Sequence, residues 1–354
     1  MYVHLVKIKV LSDTYKNSNL TKYTDADLKA MQGWDLNRKI QVSQLRIMEW
    51  FMKNDNKCYI SFSGGKDSTV LADMAAKVCK MLNCKLVLWF SDTGLEFPEI
   101  KTHVKTFVDW LREKYEIEVE LIIDYPKDKN GKRITFRDVI FQMGYPLISK
   151  EVAQKIESAR NNPNGVAIQS FIEGSPKNLK YPKFKLVKYR YLLDAPFKIS
   201  TKCCDVMKKK PAKVFEKETG LKPIIGTMAC ESSLRRTEWL KNGCNAFDNG
   251  RPISRPMSFW LEQDVLMYLK KYEIPYSSIY GEIINDENGC LKTSGRDRTG
   301  CMYCGFGCNL EKEPNRFQNL KVTHPKVWEY CMKSVEDGGL GMKEVLDYIG
   351  VKYE

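Results

Sequence analysis

The chain has 354 residues, room for one large domain or two ordinary ones, and its 43% hydrophobic and 29% charged content excludes wholesale disorder and collagen-like architectures. Lys and Arg (57) outnumber Asp and Glu (44), a formal net charge of +13 that favours a polyanionic partner or a phosphorylated substrate. No run approaches the ~20 apolar residues of a membrane span, and Met1 to Val10, broken by Lys7 and Lys9, lacks a signal peptide's apolar core, so a cytoplasmic protein with no membrane partner is expected.

Residues 1–56 read as an N-terminal helical segment, with Ile40, Leu45, Ile47, Met48, Phe51 and Met52 recurring at helical spacing. A β-prone run, Cys58 to Phe62, leads through Ser63-Gly64-Gly65 into a helix predicted over Lys66 to Leu82. Leu86 to Phe90 is a continuous apolar run, as in a strand buried on both faces of a parallel sheet. A helix over Pro98 to Tyr115 and a strand over Val119 to Ile123 follow. This alternation predicts an α/β domain. Lys127 to Asn178 reads as less regular, and Lys183 to Leu193 as a strand or hairpin arm. Later come a strand over Lys222 to Thr227, a helix over Leu261 to Tyr272 and a final helix near Lys343 to Ile349. The expected division is 1–56, a nucleotide-binding domain over 57–230, and a cysteine-rich region over 231–354 with its boundary near Glu231.

The sharpest motif is Ser61-Phe62-Ser63-Gly64-Gly65-Lys66-Asp67-Ser68. It sits at a strand-to-helix turn, where backbone N–H groups and the positive end of the helix dipole make an anion site. Ser63 and Ser68 add hydroxyl donors and Lys66 adds charge, yet the spacing is not that of a Walker A loop. The string resembles the PP-loop of the adenine-nucleotide α-hydrolase superfamily. That resemblance implies a five-stranded parallel sheet flanked by helices, with ATP lying across the strands' carboxyl ends. Ser91-Asp92-Thr93-Gly94 resembles the family's adenosine-side loop.

Further along, the resemblance narrows to the phosphoadenosine-phosphosulfate (PAPS) reductase family. It rests on Gly144-Tyr145-Pro146 with Ser149-Lys150, on Lys202-Cys203-Cys204 with Lys208, Lys209 and Pro211, and on Glu231-Ser232 with Arg235-Arg236. Pro256 to Trp260 with Asp264-Val265, Pro275-Tyr276, and Gly300-Cys301-Met302-Tyr303-Cys304 complete the order.

Twelve cysteines without a secretory signal point away from a disulfide framework. Cys203-Cys204, Cys301-x-x-Cys304 and Cys308 offer thiolates that suit zinc or an iron–sulfur cluster equally on chemistry alone. The resemblance implies a [4Fe–4S] cluster in a helical and irregular C-terminal region. Cys308 departs from the family's Cys-Cys plus Cys-x-x-Cys set, and either replaces one ligand or remains a free thiol. Cys58, Cys79, Cys84 and Cys331 read as core residues.

Two departures shape the function expected. Sulfonucleotide reductases lack the intact Gly-Gly-Lys-Asp-Ser loop and carry a redox cysteine in a Glu-Cys-Gly tail, whereas this chain keeps the loop and ends Lys352-Tyr353-Glu354. The combination resembles tRNA thiolation enzymes and the ATP-pyrophosphatase component of DNA phosphorothioation. It implies ATP-dependent adenylation of an acceptor coupled to sulfur transfer, with a sulfur-donor protein and a homo-oligomer among the partners. ATP with Mg²⁺ is then expected at Ser61, Ser63, Gly64, Gly65, Lys66, Asp67, Ser68, Asp92, Thr93, Gly94, Lys150, Glu231, Arg235 and Arg236. Lys66, Asp67, Arg235 and Cys308 are the candidate catalytic residues. The rival readings are a PAPS or adenylyl-sulfate reductase, a ligase acting on a small acid, and a non-catalytic nucleic-acid-binding iron–sulfur protein.

Lys177, Lys180, Lys183, Lys185, Lys188 and Arg190 interleave with Tyr181, Phe184, Tyr189 and Tyr191. That pattern suits either a nucleic-acid acceptor (tRNA or DNA), through phosphate contacts and base stacking, or a strand with lysines in water and aromatics in the core. His4, His103 and His324 are too scattered to suggest histidine-based chemistry.

Overall fold

A computed structural model describes residues 21–248 and 250–354; the Met1 to Val10 reading lies outside the described residues. Two helices, α1 (Asp25–Gln32) and α2 (Leu36–Lys53), make up the described N-terminal segment. Thr24 and Asp27 form a reciprocal capping box on α1, and Asp35 caps α2, which buries Ile40, Ile47, Trp50 and Phe51. The β/α alternation then follows the predicted spans closely. It runs through β1 (Cys58–Ser61), α3 (Lys66–Leu82), β2 (Leu86–Ser91), α4 (Pro98–Tyr115) and β3 (Val119–Asp124).

The middle is more regular than expected. It holds α5 (Phe136–Met143), β4 (Leu147–Ile148), α6 (Lys150–Asn161) and α7 (Pro176–Lys180). Thr135 with Asp138 caps α5 and Ser149 caps α6, start signals that the periodicity alone passes over. The predicted strand or hairpin arm at Lys183 to Leu193 is instead two 3₁₀ turns, Pro182–Phe184 and Val187–Asp194. Arg160 gives the reason: its guanidinium gathers the carbonyls of Leu192, Leu193, Ala195 and Phe197 at 2.6–3.0 Å. Acceptors drawn to one point cannot be laid along a ladder.

A short α8 (Lys202–Cys204) continues through a π turn (Asp205–Lys209) into α9 (Lys210–Thr219), β5 (Lys222–Ile224), α10 (Ser233–Asn242), β6 (Asn245–Ala246) and β7 (Ile253–Ser254). Then come α11 (Glu262–Lys271), the hairpin β8 (Ile283–Asn285) and β9 (Leu291–Thr293), β10 (Gly305–Phe306), α12 (Arg316–Thr323), α13 (Pro325–Met332) and α14 (Met342–Tyr348).

The main sheet has the order β3-β2-β1-β5-β7-β6. Five strands are parallel, as expected, and β6 adds an antiparallel edge that the periodicity did not reveal. Two-residue strands are too short to register as a pattern. Because β6 and β7 belong to this sheet, it continues across residue 231, where a boundary was expected. Strand order turns back at β1, which separates β2 from β5, so the crevice at the carboxyl ends there is the switch point of the sheet.

Helix α3 is buried on nearly every side, and Asp73 lies within it with no solvent access. Its carboxylate accepts hydrogen bonds from Tyr115 of α4 (2.6 Å) and Tyr268 of α11 (2.5 Å), and pairs with Lys77 at 3.0 Å. A second buried pair, Lys39 to Asp264 at 2.6 Å, ties α2 to α11. Asp73→Ala should lower stability by about 3–5 kcal/mol, because it removes the acceptor of two buried phenols and the carboxylate that pairs with Lys77. Urea denaturation followed by circular dichroism would measure the loss.

Candidate functional site

The loop between β1 and α3 turns at Gly64, whose φ is +70°. A Cβ there would stand 2.8 Å from both Ile100 and Val104 of α4, so only glycine lets the loop lie this close to that helix. Ser63 and Ser68 close the turn, their hydroxyls 3.0 Å apart, with the Ser63 N–H donating to Ser68 Oγ at 3.2 Å.

Lys66 opens α3 and is 3% exposed. Its Nζ pairs with Glu262 at 3.1 Å and donates to the Asp297 carbonyl at 2.9 Å. Burial works against its charge, yet the Asp67 and Glu262 carboxylates raise its pKa above the usual lysine value. Asp67 moves up as well, lifted by burial against the pull of Lys66, with Glu231 and Glu262 adding to the rise. Its Oδ1 is buried without a hydrogen-bond partner. The backbone N–H of Lys66 donates to the Tyr280 hydroxyl at 3.1 Å, which also meets Thr299 Oγ1 at 2.7 Å. Thus Glu262, Tyr280, Asp297 and Thr299 surround the loop although no local motif marked them. The Asp297 to Thr299 stretch leading into Gly300-Cys301 was the one available signal.

A cavity of about 150 Å³ opens at the carboxyl ends of β1 and β2. Ser61, Ser63, Ser91, Glu96, Lys208 and Thr299 contribute its polar lining. Lys208 comes from the π turn, a distortion frequent at functional sites. Burial opposes its charge, but the Cys301 sulfur and the Glu96 carboxylate raise its pKa. Lys208 therefore stands between the cavity and the cysteines, a role the sequence motif containing it left unassigned.

The other expected ligand residues are placed as follows. Asp92 pairs with Lys101 (2.6 Å) and Arg133 (3.1 Å), which hold its pKa below the usual carboxylate range against burial. Thr93 hydrogen-bonds Glu96 at 2.6 Å, and Gly94 turns at φ +75°. Arg235 is ion-paired with Glu231, and Arg236 reaches Asp25 at 2.5 Å. Lys150, exposed at the start of α6, does not line the cavity.

Two distant cysteine stretches meet through residues 144–148. On one side Tyr145 exchanges hydrogen bonds with the chain at Lys198 (2.8 Å) and Ser200 (3.1 Å), just before Cys203. On the other, β4 pairs in parallel with β10, just after Cys304. Gly305 has to be glycine here, since a Cβ would lie 2.6 Å from the Pro146 carbonyl oxygen. Ile148 carries the strain, at φ +61° for a β-branched residue. Burial pushes the Cys203 thiol pKa up, and the Cys301, Cys204 and Cys304 sulfurs push it further. Cys308 donates its thiol to the Gly305 carbonyl at 3.1 Å, and burial raises its pKa to about 11, with the Cys304 sulfur adding to the rise. Cys58, Cys79 and Cys331 are buried, in keeping with core roles.

Residues 57–161 match the family model described as the phosphoadenosine phosphosulfate reductase domain. The matched stretch spans the Gly64-Gly65 loop, the Asp92 loop and Lys150, while Cys203, Cys204, Cys301, Cys304, Cys308, Lys208 and Tyr280 lie beyond it. Among solved structures, the chain is similar to the NMN synthetase from Francisella tularensis, at 15% identity and TM-score 0.31, covering 68% of this chain and 72% of that one. It is also similar to the U34-tRNA thiolase NcsA from Methanococcus maripaludis, determined with its [4Fe-4S] cluster, at 14% identity and TM-score 0.32. That match covers 68% of this chain and 66% of the thiolase. No curated protein matches the chain. Among the described residues, no helix is long and apolar enough to cross a membrane.

Tyr280→Phe removes the acceptor for the first amide of α3. It should cost about 1–3 kcal/mol, the penalty for an unsatisfied buried donor, measured by urea denaturation.

Proposed function

We propose that the protein uses ATP to adenylate an acceptor, releases pyrophosphate, and couples this step to iron–sulfur-assisted sulfur transfer. The observation that carries the reading is the intact loop, whose Ser61 and Ser63 line one cavity with Lys208, itself beside Cys301. The PAPS reductase domain supports adenine-nucleotide-dependent, sulfur-related chemistry in general.

In this mechanism the acceptor oxygen attacks the α-phosphorus, the bond to the leaving pyrophosphate breaks, and the acceptor loses its proton. Lys66, released from Glu262 and the Asp297 carbonyl, and the amides of Gly65 and Lys66 stabilise the developing charge. Ser63 and Ser68 orient the phosphates. Arg235, swung from Glu231, and Arg236 and Lys150 hold phosphate or acceptor, with Asp92, Thr93 and Gly94 on the adenosine side. Asp67, whose buried Oδ1 has no hydrogen-bond partner among the described residues and faces Lys66 Nζ at 3.9 Å, is the carboxylate that would hold Mg²⁺ against the phosphates. Sulfide-level sulfur from a donor then attacks the adenylated carbon of the acceptor, a C–S bond forms, and the C–O bond breaks as AMP leaves with the acceptor's oxygen.

The donor set fits a cluster. Cys203, Cys204, Cys301 and Cys304 are unbridged and act on one another electrostatically. Among the described residues no group of three or more Cys, His, Asp or Glu side chains is placed to hold a metal ion, so the fit rests on the chemistry of the four thiols. Bound there, a [4Fe–4S] cluster would supply a thiophilic, redox-active iron site to the sulfur-transfer half of the reaction. The second reading, a sulfonucleotide reductase, is favoured by the description of the matched domain.

Lys66→Ala should reduce pyrophosphate release from ATP by about 10²-fold or more. Sulfite release from PAPS without pyrophosphate release from ATP would replace this reading with the reductase. Anaerobically purified protein should contain iron and acid-labile sulfide, lost in Cys301→Ser and retained in Cys308→Ser. Stoichiometric zinc without sulfide would overturn the cluster assignment.

A further inference from the structure

We propose that the stretch between Val166 and Leu193 is a docking surface for single-stranded nucleic acid. As a surface it stands alone; its role as the seat of the acceptor rests on the sulfur-transfer reading above. It carries six basic residues and one acid, Glu173, which is paired with Lys185 at 2.8 Å. Lys180, Lys183, Lys188 and Arg190 are exposed.

Had these residues formed a two-faced strand, all four aromatics would lie in the core. Tyr189 packs against it and Phe184 is half-buried, but Tyr181 and Tyr191 are exposed. Tyr181 is 40% and Tyr191 39% exposed, and Leu179 beside them is 71% exposed. Lys177 and Lys180 stand 5.6 and 5.5 Å from the Tyr181 ring centre. The Tyr181 ring therefore has two cations over it, placed to meet a phosphate beside a base stacked on the ring. An anionic lipid surface is disfavoured, because the regular pieces are a five-residue helix and short 3₁₀ turns rather than a continuous amphipathic helix. Duplexes offer no open base faces to the tyrosines.

The surface is also tethered to the chemistry. Arg160 pins its carboxyl-terminal end, and the chain then pairs Ile199 with Tyr145 before entering Cys203 and Cys204. A strand lying on Tyr181 and Tyr191 is thus held on the segment that delivers two of the cysteines.

The test is fluorescence anisotropy with labelled oligo-dT, oligo-U and a duplex, without ATP, over a salt series. Both single strands should bind in preference to the duplex, and a difference between them distinguishes DNA from RNA as the source. Tyr181→Ala and Tyr191→Ala should each weaken binding about fivefold or more, with Tyr181→Phe restoring it. The combined Lys180→Glu, Lys183→Glu and Lys188→Glu variant should flatten the slope of log affinity against log salt, by about 0.7 for each phosphate it no longer neutralises. Lys326→Glu, outside the segment, should change neither. Unaltered binding in the tyrosine and lysine variants, or binding only to phosphatidylserine vesicles, would overturn the proposal. Pyrophosphate release from ATP is read separately, so failure of the adenylation reading leaves the binding result standing, and the reverse holds too.

Discussion

A carboxylate with no access to water must find its hydrogen bonds inside the protein, and Asp73 finds them from three helices. Lys77 on its own helix, Tyr115 on α4 and Tyr268 on α11 converge on it. Because α3 is locked in this way, its first turn cannot drift, and the amides of Gly65 and Lys66 keep a fixed direction. Everything at the anion loop depends on that. Gly64 can lie against Ile100 and Val104 because α4 is held to α3 at the Asp73–Tyr115 bond further along.

The second half of the site reaches the first from far along the chain. Glu262 begins α11, the helix that also carries Tyr268, so the hub that fixes α3 also sets the partner of Lys66. Gln263 exchanges two hydrogen bonds with Leu291, at 2.7 and 2.8 Å, and so fastens the β8–β9 hairpin over the same region. Tyr280, Asp297 and Thr299 thereby satisfy the donors of the loop. Met302 then bonds the Leu95 carbonyl at 2.9 Å, which brings the Cys301 to Cys304 turn onto the loop after β2. A nucleotide entering the loop would exchange these internal partners for its phosphates.

Much of the architecture is legible in the residues alone. The spans of α3 and α4 follow the predicted ends, since apolar periodicity, an N-terminal proline at Pro98 and left-handed caps at Asn83 and Glu116 are local properties. The stretch at Lys183 to Leu193 departs from its predicted strand for an equally physical reason. Alternating lysine and aromatic residues imitate a strand, but the partner of its backbone is a side chain on α6, and periodicity carries no information about Arg160.

The sequence by itself therefore determined the strand–loop–helix unit, the alternation of β1, α3, β2, α4 and β3, and the chemistry available in Lys66 and the five cysteines, while the count of five parallel strands came from the family resemblance. The alternation and the loop depend on neighbours a few residues away. Only the tertiary structure decided which groups share a site: Lys66 with Glu262 and Tyr280, Lys208 with Cys301, and Cys203 with Cys301 and Cys304 across the strained turn at Ile148. Those meetings are set by how buried helices and two-residue strands pack. Packing is settled by the whole chain at once, so no local pattern records it.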